Sequence, residues 1–326
     1  MTHPANTLSL VADVGGTNTR CALTNGADVL PATVRRYANA NHTGLEAVLR
    51  QYVRDEGDVD TVAACVAVAG PVRDGRATLT NLDWAIDGGT LARATGAETV
   101  AILNDLQAQG HALSALEPAS LRTIITGPKT TNTAVATRLV VGVGTGFNAA
   151  PVFATASGTF VPPSESGHVT LPTRTDQDVR LSAYVSAAHG FPSVEDVLSG
   201  RGLERVYAFL GREAATPKSA TAKDIMTGCA DGSDPLAAQA AGLFSRILGA
   251  VCGNLALTQL PFGGVYLVGG VARSLAPYLA SFGFADAFCD KGRFRPFMSN
   301  FAVDVVEDDY AALIGSAAHL EAVKSA

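Results

Sequence analysis

Leu8-Ser-Leu-Val-Ala-Asp13-Val-Gly15-Gly16-Thr17-Asn18-Thr19-Arg20 runs as an apolar strand into a carboxylate, two glycines and a threonine, then returns to strand-like sequence instead of opening a helix. Glycine lets backbone N–H groups come close to an anion, and a threonine hydroxyl adds one more donor. A second stretch repeats the pattern: Leu139-Val-Val-Gly142-Val-Gly144-Thr145-Gly146-Phe147-Asn148. One such turn reads equally well as a plain hairpin. Two in matching halves point to a duplicated fold whose loops grip one polyphosphate from opposite sides. The dinucleotide-binding pattern G-x-G-x-x-G opening a helix is missing from the first turn, and so is the G-x-x-x-x-G-K-[ST] signature.

At 326 residues the chain has room for two domains with sizeable cores. It is 47% apolar and 17% charged, the balance of a well-packed globular protein. Its net charge of −6 and the lack of long basic runs argue against nucleic acid or an anionic membrane as partner. The five cysteines (Cys21, Cys65, Cys229, Cys252, Cys289) are dispersed and form no CxxC pair, so neither a zinc ribbon nor a disulfide framework is expected. Residues 1–6 lack the charged and apolar regions of a signal peptide. The apolar run from Ile247 to Leu257 is too short to span a bilayer and reads as buried helix. A cytoplasmic, reduced protein is expected.

Along the first half, strands are expected near 8–14, 19–24 and 28–36, with Asn25-Gly26 marking a hairpin. A helix over 43–55 follows, with Thr43 and Glu46 as its capping box. Strands near 61–68 and 98–103 bracket a short helix at 89–95. The second half begins alike, with strands near 138–143, 148–154 and 158–162. A long helix covers 235–258, and Gly249 and Gly253 share one of its faces, where another element can approach closely. Val265-Tyr-Leu-Val268 runs into Gly269-Gly270, and a last helix near 309–323 is expected to pack on the first half. The halves should meet along a cleft, with a hinge near 110–120.

Asp13 ends a buried strand, where an unpaired carboxylate costs several kcal/mol. A magnesium ion, or water held on it, would relieve that cost. Asn104-Asp105 follow the strand Val100-Ala-Ile-Leu103 at its carboxyl end, where ligands collect in α/β sheets. A carboxylate there can take a proton from a substrate hydroxyl. Capping of the next helix explains the pair equally well. Glu165 and His168 lie in one loop; without further ligands nearby they suit a polyol better than zinc. Glu195 follows Ser193, and a first-turn acid at a helix start is a strong competing explanation.

Taken together, ADVGGTNTR (12–20), LND (103–105), ESGH (165–168), VEDVLSG (194–200), GNLAL (253–257), FGGVYLVGGV (262–271) and DKGRF (290–294) resemble the bacterial glucokinase family of the actin-like ATPase and sugar kinase superfamily. The matches run in family order over essentially the whole chain. The resemblance implies a two-domain α/β fold of the actin-like (ribonuclease H-like) type, its duplicated halves flanking a central cleft. One domain would comprise residues 1–114 with about 304–326, the other 115–303. It implies ATP-dependent phosphorylation of the 6-hydroxyl of glucose. Ala12, Asp13, Val14, Gly15, Gly16 and Thr17 match the first phosphate loop, and Gly144, Thr145 and Gly146 the second. Gly269 and Gly270 match the adenosine-side turn. Asn104, Asp105, Glu165, His168 and Glu195 match sugar-binding positions, with Asp105 as the base. ATP and Mg²⁺, the latter held through water on Asp13, are the implied cofactors, and a homodimer is the expected assembly.

Three departures stand out. The family's second loop usually reads GTGLG, where this chain has Gly144-Thr-Gly-Phe-Asn148; asparagine tolerates positive φ, so the turn is expected to survive. The usual EGGH is ESGH here. A cysteine-rich zinc motif found after ExGH in a related repressor/kinase group is absent, since the next cysteine after His168 is Cys229. The alternatives are a kinase for another hexose or amino sugar, or a weakly active sugar sensor. The resemblance gives DKGRF no physical role.

Overall fold

The computed structural model describes residues 7–79, 82–128, 135–156 and 158–325. It divides into two units, residues 1–117, 154–163 and 308–326 in one, and 118–153 with 164–307 in the other.

The first unit is built on a sheet ordered β3-β2-β1-β5-β9, comprising β1 (Leu8–Val14), β2 (Asn18–Asn25), β3 (Asp28–Val29), β5 (Thr61–Val68) and β9 (Thr99–Asn104). β4 (Arg35–Ala38) adds to the outer part of β2, so the strand expected over 28–36 is broken by a 3₁₀ turn at Pro31–Thr33. Pro31 supplies no backbone donor, which stops the ladder there. β1 pairs antiparallel with β2 and parallel with β5, and β5 parallel with β9. A small sheet of β6 (Val72–Arg73), β7 (Arg76–Thr78) and β8 (Ala85–Asp87) follows β5. The apolar stripe of α1 (Leu45–Asp55) is buried with α2 (Gly88–Thr95) on one face of the main sheet. Gly44 caps α1 without any side-chain bond, so the expected Thr43/Glu46 box does not form; Glu46 pairs with Arg50 one turn on. α3 (Asp105–Ala112) and α11 (Ala311–Lys324) cover the other face.

The second unit repeats this plan. Its sheet runs β10 (Leu121–Ile125), β15 (Val303–Val306), β14 (Val265–Val268), β11 (Arg138–Val143), β12 (Phe147–Thr155). β11 is again antiparallel to the next strand in sequence and parallel to its other neighbour, and β14 is parallel to β15. The chain continues beyond β12 into β13 (Gly158–Phe160). Helices α4 (Asp176–His189), α5 (Val194–Val197), α6 (Gly200–Glu213), α7 (Ala222–Asp231), α8 (Pro235–Gln259), α9 (Gly270–Leu275) and α10 (Phe284–Cys289) supply the rest of its core. α8 is long and apolar enough to cross a membrane by length and composition, yet 67% of its most apolar window is buried inside the protein. Its paired glycines have the expected use. A Cβ at Gly249 would lie 2.2 Å from the Phe284 carbonyl oxygen, and one at Gly253 would lie 2.4 Å from that of Phe288, so α10 lies directly on α8.

Candidate active site

In the first unit the sheet register brings the candidate residues to one edge. Val14 at the end of β1 sits opposite Val68 on β5, and Val68 opposite Asn104 on β9. The turn at Gly15–Thr17 and the Asn104-Asp105 pair therefore leave neighbouring strands at the same carboxyl end, the position at which α/β sheets hold ligands. The turn is tied down from outside. Gly15 N–H donates to the Asn18 carbonyl at 3.0 Å. Asn39, 2% exposed, donates its side-chain amide to the Gly15 carbonyl at 2.7 Å and accepts from the Thr19 hydroxyl at 2.8 Å. The Asn39 N–H donates to the Thr17 carbonyl at 2.9 Å. Gly16 and Thr17, at the tip, are exposed.

Two carboxylates stand beside this turn. Burial raises the pKa of Asp13, opposed by Arg20, whose guanidinium lies 3.8 Å away. Arg20 is itself held by the Asp309 carbonyl at 3.1 Å. Asp105 is pushed up to about 7, chiefly by desolvation and then by the charge of Asp13; the Leu106 N–H, donated at 2.8 Å, and Asn104 pull the other way. A carboxyl poised near neutrality at the end of a strand is suited to proton transfer. The capping role falls to Asn104. Its Oδ1 accepts from Leu106 N–H at 3.0 Å, its amide donates to the Gly70 carbonyl at 2.9 Å, and Gln107 closes the box. Asp105 is the first helical residue and not the cap, which leaves one of its oxygens outside the capping arrangement.

In the second unit the candidate residues gather around Gly144–Gly146. Gly144 N–H donates to the Gly146 carbonyl at 2.9 Å, and the Gly144 carbonyl accepts from Gly200 N–H at 2.8 Å. Thr145 is exposed at the tip. Gly269 has φ +103, and a Cβ there would lie 2.5 Å from the Val143 carbonyl oxygen, so only glycine lets the β14 turn lie against this loop. Gly270 then opens α9. Ser193 and Asp196 form the capping box of α5, yet Glu195 does not serve that helix. Its Oε2 accepts the Phe147 N–H at 2.9 Å, directly after the loop, and fills the space a Cβ at Gly146 would need. Glu165 and His168 are both exposed, 3.8 Å apart across a 3₁₀ turn. Gly167 between them abuts the Phe147 carbonyl. No group of three or more metal-ligating side chains occurs among the described residues.

Asn148 behaves otherwise than expected. It sits in β12 opposite Gly142 without positive φ, and its side chain turns to the Glu165 loop. Sequence reasoning missed Asn39 altogether, because a polar residue in an irregular turn carries no periodic signal. The DKGRF element acquires a structural role. Lys291 lays its stem on Gly253 and donates to the Ala250 carbonyl at 3.1 Å, Asp290 pairs with Arg174 at 3.0 Å, and Arg293 stacks over Phe294.

The Glucokinase family model matches residues 10–323. A glucokinase from Saccharophagus degradans is 34% identical over 317 residues, covering 96% of this chain and 98% of the relative. The crystal structure of a glucokinase from an Antarctic psychrotroph superposes with a TM-score of 0.83 at 30% identity, covering 96% of this chain and 98% of that one. A ROK family glucokinase from Streptomyces griseus, solved with glucose and AMPPNP, shares the fold at TM-score 0.68 and 19% identity, over 96% and 99% of the two chains. With matched β-α-β halves and a family match over nearly its whole length, the chain belongs to the glucokinase family and is a hexose kinase, a phosphotransferase with the two-domain actin-like fold.

Proposed function

We propose that the enzyme transfers the γ-phosphoryl group of ATP to the 6-hydroxyl of glucose, with Asp105 as general base. The observation that carries this reading is Asp105 itself: a half-buried carboxyl at the strand edge, raised to about 7 beside a glycine turn. Asn104 and Asp105 would hold the sugar from the first unit, and Glu165, His168 and Glu195 from the second. The 6-hydroxyl gives its proton to Asp105 as its oxygen attacks phosphorus, and ADP leaves. The turns at Ala12–Thr17 and Gly144–Gly146 would hold the phosphates through backbone N–H groups, with Gly269 and Gly270 toward the adenosine. Catalysis is then positioning and charge stabilisation, as a loose transition state requires. The glucose and AMPPNP bound by the Streptomyces griseus protein support this choice of ligands.

Mg²⁺ fits Asp13. The ion keeps several waters and needs only one or two carboxylates plus substrate phosphates, so a single carboxylate suffices, and a cation there would offset the burial that raises the Asp13 pKa. Bound there, it would neutralise phosphate charge. The working form would be a cytoplasmic homodimer.

Asp105→Asn tests the assignment. Asparagine keeps the shape and the sugar hydrogen bond but cannot take the proton. We expect kcat to fall by roughly 10²–10⁴ while glucose affinity, measured calorimetrically, changes little. A kcat near wild type would leave Asp105 a structural residue only.

A further inference from the structure

Asn148, just after the second glycine loop, and Ser166, between Glu165 and His168, touch each other. The Asn148 amide donates to the Ser164 carbonyl, and its Oδ1 accepts from Ser166 N–H at 2.9 Å and from the Ser166 hydroxyl at 3.1 Å. These partners fix the orientation of the amide, since a carbonyl can face only the NH₂ end and an N–H only the oxygen. The Ala149 N–H is shared between Asn148 Oδ1 and Ser166 Oγ, each at 2.8 Å. Both side chains are partly buried, so water competes poorly for these hydrogen bonds and the ring holds its shape.

This ring joins residues 164–166 to the start of β12, and β12 begins at Phe147, directly after the glycine loop. Phe147 itself holds Glu195 through its N–H and meets Gly167 through its carbonyl. Phe147 and Asn148 thus fasten three candidate sugar contacts to the strand that carries the second phosphate loop.

We propose that Asn148 and Ser166 are positioning residues for glucose. The ring they form sets where Glu165 and His168 stand, and so governs sugar affinity without touching the nucleotide. This rests on the reading that Glu165 and His168 contact the sugar.

The test is a double-mutant cycle of Asn148→Ala and Ser166→Ala in the full-length enzyme with glucose and Mg-ATP, each variant checked by thermal melting. Each single change should raise glucose KM about fivefold, through the displaced Glu165 and His168, and leave ATP KM within about twofold. The double variant should lose less than the product of the two. Ser166→Ala removes one hydroxyl at the start of a short 3₁₀ turn, so it keeps the test valid even if Asn148→Ala fails to fold. Unchanged glucose KM, or equal shifts in glucose and ATP KM, would overturn the proposal. Glu165→Gln and His168→Ala run alongside. If these raise glucose KM while the ring variants do not, the ring is wrong and the sugar contacts stand. If they leave glucose KM unchanged, the underlying sugar reading fails and the proposal with it.

Discussion

Asp105 combines two demands that oppose each other. A carboxyl whose folded pKa lies near 7 binds its proton more tightly in the native state than in the unfolded chain, where the value is near 3.8. Folding therefore becomes less favourable as pH rises from about 4 through about 7, and the loss is complete above that window. Asparagine escapes this penalty. Asp105→Asn should be more stable than the wild type at pH 8 by about 2 kcal/mol, allowing for the partial exposure of the site, with the gap closing below about pH 4. Urea unfolding at both pH values measures it, and a gap independent of pH would mean the carboxyl is not raised. Carboxyls with strongly raised pKa values recur at catalytic sites.

The helix that carries Asp105 is placed by another helix from the far end of the chain. α11 packs on α3 so closely that a Cβ at Gly315 would lie 1.7 Å from the Ala108 carbonyl oxygen. The same contact buries His111 against His319, rings 4.6 Å apart. Burial lowers both pKa values, that of His111 to about 4 with help from His319, so both imidazoles are neutral at pH 7. Gly315→Ala has no small adjustment open to it, because the obstacle is backbone. It should destabilise the protein by about 3 kcal/mol in denaturant titrations and lower kcat by tilting α3. A loss under 0.5 kcal/mol would show that the two helices part freely.

For the whole molecule, the proposed function assigns the two sheets two halves of one task. Glucose should slow amide exchange both at 104–108, in the first unit, and at 147–149 with 165–168, in the second. Hydrogen-exchange mass spectrometry with and without saturating glucose reads this directly. Protection confined to one unit would remove the other from the sugar site. Glucose at a hundred times its Kd should also add about 2.7 kcal/mol to stability.

The two glycine turns, their flanking strands, the long helix 235–259 and the family itself are legible in the sequence. They depend on local chemistry: β-branched runs, glycine and threonine at strand ends, and helical periodicity. The Thr43/Glu46 box was legible and false, since Gly44 is the N-cap of α1 and no side chain caps it. What the chain order could not disclose are contacts between segments remote in sequence. Asn104 and Asp105 were an even choice between cap and chemistry until the fold made Asn104 the cap and left Asp105 half-buried beside Asp13. Glu195 could be read as a sugar contact or as a first-turn acid at a helix start, and only packing brings it to the Phe147 N–H. Asn148 read as a turn residue, and its actual partners, Ser164 and Ser166, lie across a hairpin. Composition and local pattern determined the fold and family. Tertiary packing alone decided which polar side chains are consumed in holding the site and which remain free to act, because desolvation and hydrogen-bond satisfaction depend on neighbours that only the folded chain supplies.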